Sequence, residues 1–141
     1  MQPELNFLTD IALQAGAMLA RMQDGDLDIQ LKGRADLVTR ADKSVETFLI
    51  DQVLSRFPTH AIISEESGSH AGDPEHQWFI DPLDGTLNYA HGLRYYCTTI
   101  AYARRAAADG RHLLAAGGRM LYCRARQRRF FERQSRPGFP R

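Results

Sequence analysis

From Pro3 the apolar residues Leu5, Leu8, Ile11, Ala12, Ala15 and Leu19 recur at intervals of three and four. The stretch "PELNFLTDIALQAGAMLARMQ" therefore predicts an amphipathic helix that stops near Asp24-Gly25. The pattern then changes period. Leu27, Ile29 and Leu31 alternate with Asp28, Gln30 and Lys32 before a turn at Gly33, which predicts a hairpin. A second helix follows, capped by Thr39 or Asp42, lined on its buried face by Val45, Phe48, Leu49, Val53 and Leu54, and ended by Pro58. Strands are predicted at "AIIS" (61–64), "WFI" (78–80) and "YYCTTIAYA" (95–103), with a polar loop over 68–77. After Gly110, Arg, Gly and Pro are scattered with no clean period.

A chain of 141 residues is most simply one domain, and at that length about 68–70% of the unfolded surface can be buried. With 43% apolar and 25% charged residues the composition is that of a soluble globular protein, and no window approaches the ~20 apolar residues of a membrane helix. The N-terminus lacks a basic segment ahead of an apolar core. No signal peptide is expected, and the expected location is cytoplasmic, away from membranes. Cys97 and Cys123 fit neither a metal-site spacing nor a disulfide framework, so both read as reduced thiols.

Charge is unevenly spread. Residues 1–103 hold 7 Lys and Arg against 15 Asp and Glu, while residues 104–141 hold 11 arginines against only Asp109 and Glu132. The two parts carry about −8 and +9, which divides the chain into residues 1–103 and an Arg-rich tail, 104–141. Either the tail is a basic arm for an anionic partner, or it did not evolve with the rest.

The acidic residues gather where predicted strands end: Glu65 and Glu66 after "AIIS", Asp81 and Asp84 after "WFI". Converging carboxylates repel one another and raise each other's pKa unless a cation sits among them. Mg²⁺ suits this, since it takes oxygen ligands and keeps waters and substrate phosphate around two or three carboxylates. In "DPLDGT", Pro82 fixes its φ, so that Asp81, Leu83 and Asp84 can present side chain, carbonyl and side chain. Gly85 permits close approach of a ligand, and Thr86 or a neighbour opens a short helix whose free N–H groups attract an anion. Taken alone, Asp-Pro-x-Asp-Gly is more often a surface turn, and Glu65-Glu66 more often solvated charge. The combination with Thr86 and with Asp42 in "DLVTRADKSVE" favours a phosphate site.

These segments, "DLVTRADKSVE", "AIISEESG" and "WFIDPLDGTLNYAHGL" running into "CTTIAYA", resemble the inositol monophosphatase family of lithium-sensitive, Mg²⁺-dependent phosphatases over residues 1–103. The resemblance implies an α+β fold. This chain would supply the N-terminal half of a layered αβαβα sandwich, two helices packed on a mainly antiparallel sheet. It further implies that Glu65, Asp81 and the Leu83 carbonyl hold one Mg²⁺, and that Asp81 and Asp84 hold another. Thr86, paired with Asp42 and helped by Glu65, would activate the water that attacks phosphorus. Asp84, Gly85 and Thr86 would bind the substrate. The implied reaction is phosphomonoester hydrolysis, with inositol 1-phosphate as the substrate and a homodimer compatible with it. Relatives bearing the same signature act on histidinol phosphate, sugar bisphosphates or nucleotide 3′-phosphates.

Other residues read more plainly. Lys32 aligns with a lysine near the family's metal site but is equally a hairpin charge. Glu66 reads as support, His91 as rim, Trp78, Phe79 and Tyr89 as packing, and Cys97 as a small buried hydrophobe.

The chain also departs from the family. Members are about twice as long and carry a late aspartate directly after a tryptophan. The single tryptophan here, Trp78, is followed by Phe79, so the second metal lacks a ligand. With 16 arginines to 2 lysines, the abrupt Arg-rich tail has the look of an out-of-frame reading of GC-rich DNA. The expectation is a truncated or frame-shifted chain, weakly active or inactive. A rival reading is a catalytically dead half-domain whose tail binds nucleic acid or another polyanion.

Overall fold

The computed structural model describes residues 5–25, 28–31, 37–104, 109–116, 119–124 and 130–134. Helix α1 spans Leu5–Met22 and buries Leu8, Ile11, Ala12, Ala15 and Leu19, the residues whose spacing predicts it. Strands β1 (Gln30–Leu31) and β2 (Leu37–Val38) pair antiparallel, as a hairpin requires. Leu27, Lys32 and the turn at Gly33 lie outside the described residues.

Helix α2 spans Arg40–Arg56, and its start is a capping box. Thr39 Oγ1 accepts from the Ala41 and Asp42 amides, while the Asp42 carboxylate accepts from the Thr39 amide at 2.7 Å. Its buried stripe includes Val45, Leu49 and Val53 as expected, with Phe48 and Leu54 half-buried at the margins. Two carboxylates, Asp42 and Glu46, lie in that same stripe.

Among the described residues the main sheet has seven strands in the order β4-β3-β5-β6-β7-β8-β9. They are β3 (His60–Ser64), β4 (Gly68–His70), β5 (Asp73–Asp84), β6 (Cys97–Arg104), β7 (Asp109–Ala116), β8 (Arg119–Arg124) and β9 (Phe130–Gln134). Only β3 and β5 run parallel; every other neighbour is antiparallel. Two helices on a mainly antiparallel sheet is the expected α+β arrangement. The loop expected over 68–77 is a correction. Residues 68–70 form a strand and β5 begins at Asp73, because Gly68–His70, Asp73, His76 and Gln77 pair through their backbone while most side chains of the stretch stay exposed and show no apolar period. The Arg-rich stretch likewise adds strands that its side-chain pattern does not announce.

The core lies between the helices and one face of the sheet. Ile62, Trp78, Ile80, Ile100 and Tyr102 meet Leu8, Ile11, Val45, Leu49 and Val53 there. Phe79, expected as packing, is 39% exposed, because it stands one residue out of phase with Trp78 and Ile80 on the opposite face. Among the described residues no helix is long and apolar enough to cross a membrane.

Candidate functional site

The loops that follow β3 and β5 come together because these strands are parallel neighbours, with Ser64 in register with Ile80. Glu65 sits in the first loop, its amide still bonded to the Ile80 carbonyl at 3.1 Å. Asp81 and Asp84 close the second strand. Opposite residues three apart on a regular strand would point to opposite faces. Here Asp81 pairs with Thr99 and Asp84 with Cys97, so three steps along β5 match two along β6, and the bulge returns both carboxylates to one side. Pro82, which has no amide to give the ladder, occupies the bulge, and its carbonyl accepts from Thr98 Oγ1 at 3.0 Å.

Electrostatics record the convergence. The Asp81 carboxyl is pushed up to about 7, first by burial, then by a hydrogen bond to Glu65 and by the charges of Glu65 and Asp84; the Leu83 amide, 3.2 Å from Asp81 Oδ1, opposes the shift. Among the described residues no group of three or more His, Cys, Asp or Glu side chains is placed to hold a metal ion by itself. What the strand ends do offer is a row of oxygens on adjoining chain segments: the Glu65 carboxylate after β3, and the Asp81 and Asp84 carboxylates with the Leu83 carbonyl at the end of β5. That donor set is all oxygen and carries mutual repulsion that a cation relieves. It fits Mg²⁺, which is commonly held by one or two carboxylates with water and phosphate in its other positions.

Beyond Asp84 the chain turns at Gly85, with φ of 89°, into the five-residue helix α3 (Thr86–Ala90). A Cβ at 85 would lie 2.8 Å from the Tyr95 carbonyl oxygen, so glycine is required for both the left-handed backbone and the space. Thr86 Oγ1 lies 3.0 Å from the Leu83 carbonyl and 3.3 Å from Asp42 Oδ1. Asp42 is 1% exposed and its other oxygen accepts from the Thr39 hydroxyl at 2.6 Å. Helix α3 is tied back to α1 by the buried Tyr89, whose hydroxyl donates to the Leu19 carbonyl at 2.6 Å.

Thus Glu65 and Asp81 lie at the ends of paired strands, Asp84 closes the second of them, and Thr86 links the Leu83 carbonyl to Asp42. His91 is exposed, as a rim residue would be. Cys97 is only half-buried, next to Asp84, rather than a core residue. The residue that hydrophobic patterning passes over is Glu46. It is 6% exposed, and its Oε1 accepts the Glu66 amide at 3.1 Å, the Ser67 amide at 3.0 Å and the Ser64 hydroxyl. Its one sequence signal is its position four residues after Asp42, on the same face of α2.

The fold is that of an α+β protein with carboxylates at the ends of adjoining strands. The profile of the inositol monophosphatase family matches residues 1–108, and the chain belongs to that family. The Nus factor SuhB of Escherichia coli (strain K12) is 39% identical over 104 residues, which cover 72% of this chain and 39% of that protein. The inositol-1-monophosphatase of Rhizobium meliloti is 34% identical over 109 residues, covering 75% of this chain and 41% of the relative. The chain thus spans about two fifths of the length of these relatives. Among solved structures, the extragenic suppressor protein suhB from Bartonella henselae superposes with a TM-score of 0.85 at 27% identity, over 94% of this chain and 52% of that one. The inositol monophosphatase from Anabaena superposes with a TM-score of 0.71 at 29% identity, over 93% and 47%.

Proposed function

We propose that this chain carries the metal-binding and water-activating part of a Mg²⁺-dependent phosphomonoesterase, with inositol 1-phosphate as its substrate. The observation that supports the reading is the parallel pairing of β3 and β5, which sets the loop of Glu65 beside the strand end of Asp81 and Asp84, together with the 3.3 Å contact of Thr86 with Asp42. Glu65, Asp81 and the Leu83 carbonyl would hold one ion, and Asp81 and Asp84 a second. Bound there, Mg²⁺ supplies positive charge to the phosphate oxygens and makes a water easier to deprotonate. The Thr86 hydroxyl, oriented by Asp42, holds the attacking water and passes its proton toward the carboxylate, with Glu65 as a second acceptor. Asp84 and the amides of Gly85 and Thr86 orient the substrate, and the left-handed turn at Gly85 leaves the backbone open to it.

The test is release of inorganic phosphate from inositol 1-phosphate, histidinol phosphate, fructose 1,6-bisphosphate and adenosine 3′,5′-bisphosphate, in Mg²⁺ and in EDTA. The reading predicts release from inositol 1-phosphate above the others, lost in EDTA and inhibited by lithium. Release that persists in EDTA, or that favours another ester over inositol 1-phosphate, contradicts it.

A second reading rests on the segregation of charge, 11 arginines within residues 104–141. Such a segment suits a polyanion, with affinity that falls steeply as salt rises. Fluorescence anisotropy of a labelled single-stranded RNA at rising salt tests it; no binding at low salt contradicts it.

A further inference from the structure

A carboxylate taken out of water must be paired or fully hydrogen-bonded to be tolerated. Glu46 meets that requirement entirely on the turn that follows β3, where one of its oxygens receives two backbone amides and a hydroxyl. Bonds to an ionised acceptor are about twice as strong as neutral ones, so this oxygen is a firm anchor for Glu66 and Ser67. On the other side of the turn the Glu65 amide is fixed to the Ile80 carbonyl at 3.1 Å. The backbone of Glu65 is therefore held on both sides, against the strand residue that immediately precedes Asp81. One turn earlier on α2, Asp42 holds Thr86 at 3.3 Å. A single helix face thus carries a support for each of the two loops that build the site.

We propose that Glu46 is a positioning residue. By pinning the 65–67 turn to helix α2 it sets the Glu65 carboxylate against Asp81, and so sets the strength with which the site holds a divalent cation. The proposal rests on the reading of Glu65 and Asp81 as cation ligands given above. A residue that served only to stabilise the fold would support the turn without altering the cation affinity.

The experiment uses the full chain with Mn²⁺ as the probe, because Mn²⁺ shares the preference of Mg²⁺ for oxygen ligands and free Mn²⁺ is counted by its paramagnetic resonance signal. Mn²⁺ affinity and amide hydrogen exchange are measured on the wild type, Glu46→Ala, Glu46→Gln and Asp81→Asn. Glu46→Ala should speed exchange at the Glu66 and Ser67 amides and weaken Mn²⁺ about tenfold or more, the usual cost of removing a group that orients a metal ligand. Glu46→Gln keeps an acceptor oxygen without its charge and should recover most of both losses. Where Glu46→Ala loses amide protection through Val45–Val53 and so has unfolded, Glu46→Gln decides, with Mn²⁺ weaker by roughly two- to fivefold on the weaker neutral bonds. Faster exchange with Mn²⁺ affinity equal to wild type in the deciding variant overturns the proposal. Binding by the wild type that Asp81→Asn removes, alongside unchanged binding in both Glu46 variants, overturns this proposal alone. No Mn²⁺ binding by the wild type overturns the cation reading, and with it any positioning role for Glu46.

Discussion

Thr86 Oγ1 and Asp42 Oδ1 stand 3.3 Å apart, a contact between residues 44 positions apart that joins the loop after β5 to the first turn of α2. Asp42 spends its other oxygen on the cap at Thr39, so one buried carboxylate both starts a helix and orients a hydroxyl. Thr86→Ala removes the hydroxyl and leaves Asp42 capped. Phosphate release should fall by roughly 10²–10⁴-fold, the range for a positioned proton-transfer group, while cation affinity stays close to wild type. Thr86→Ser should retain most of the rate. An alanine variant with the wild-type rate would remove Thr86 from the chemistry.

The turn at Gly85 makes a prediction about stability. Gly85→Ala forces a non-glycine residue to a φ of 89° and drives a Cβ to 2.8 Å from the Tyr95 oxygen. The left-handed backbone alone costs about 1–2 kcal/mol. Urea denaturation should show at least that loss, and a smaller change would mean that the 85–95 segment relaxes freely.

A pH dependence follows from His60, far from the carboxylates in sequence role but packed into the same core. It is 3% exposed, its Nδ1 accepts from Trp78 Nε1 at 3.0 Å, and its ring stacks on His76 with centroids 4.4 Å apart. Burial first, and then the charge of His76, lower its pKa from 6.5 to about 4. The unfolded chain therefore binds a proton that the folded one refuses between pH 6.5 and about 4. The contribution of His60 is complete above pH 6.5 and is lost as pH falls toward 4. Urea midpoints at pH 7, 5.5 and 4.5 for the wild type and His60→Phe should converge as the pH drops, because the variant has no proton to take up there. Parallel curves would show that His60 is not the group responsible.

Much of this fold can be read from the chain, and the reasons for the remainder are physical. Helix α1 is legible because Leu8, Ile11, Ala15 and Leu19 face one core and nothing polar interrupts them. The start of α2 is legible because Thr39 and Asp42 have the spacing of a capping box. Strand β4 and the first half of β5 are not, because their residues pair through the backbone with side chains mostly exposed, and periodicity reports burial rather than hydrogen bonding. Asp81, Asp84 and Glu65 stand out because carboxylates at strand ends have no packing role to explain them. Glu46 does not, since a glutamate within a helix is ordinarily solvated, and its burial depends on the turn at 65–67, some 20 residues later.

The central claim is that Glu65, Asp81 and Asp84 form a divalent-cation site, and calorimetric titration of Mg²⁺ into the wild type and Asp81→Asn tests it most directly. Asp81 belongs to both proposed cation positions, so the account predicts saturable binding by the wild type and its loss in the variant. Equal binding by the two proteins would contradict it.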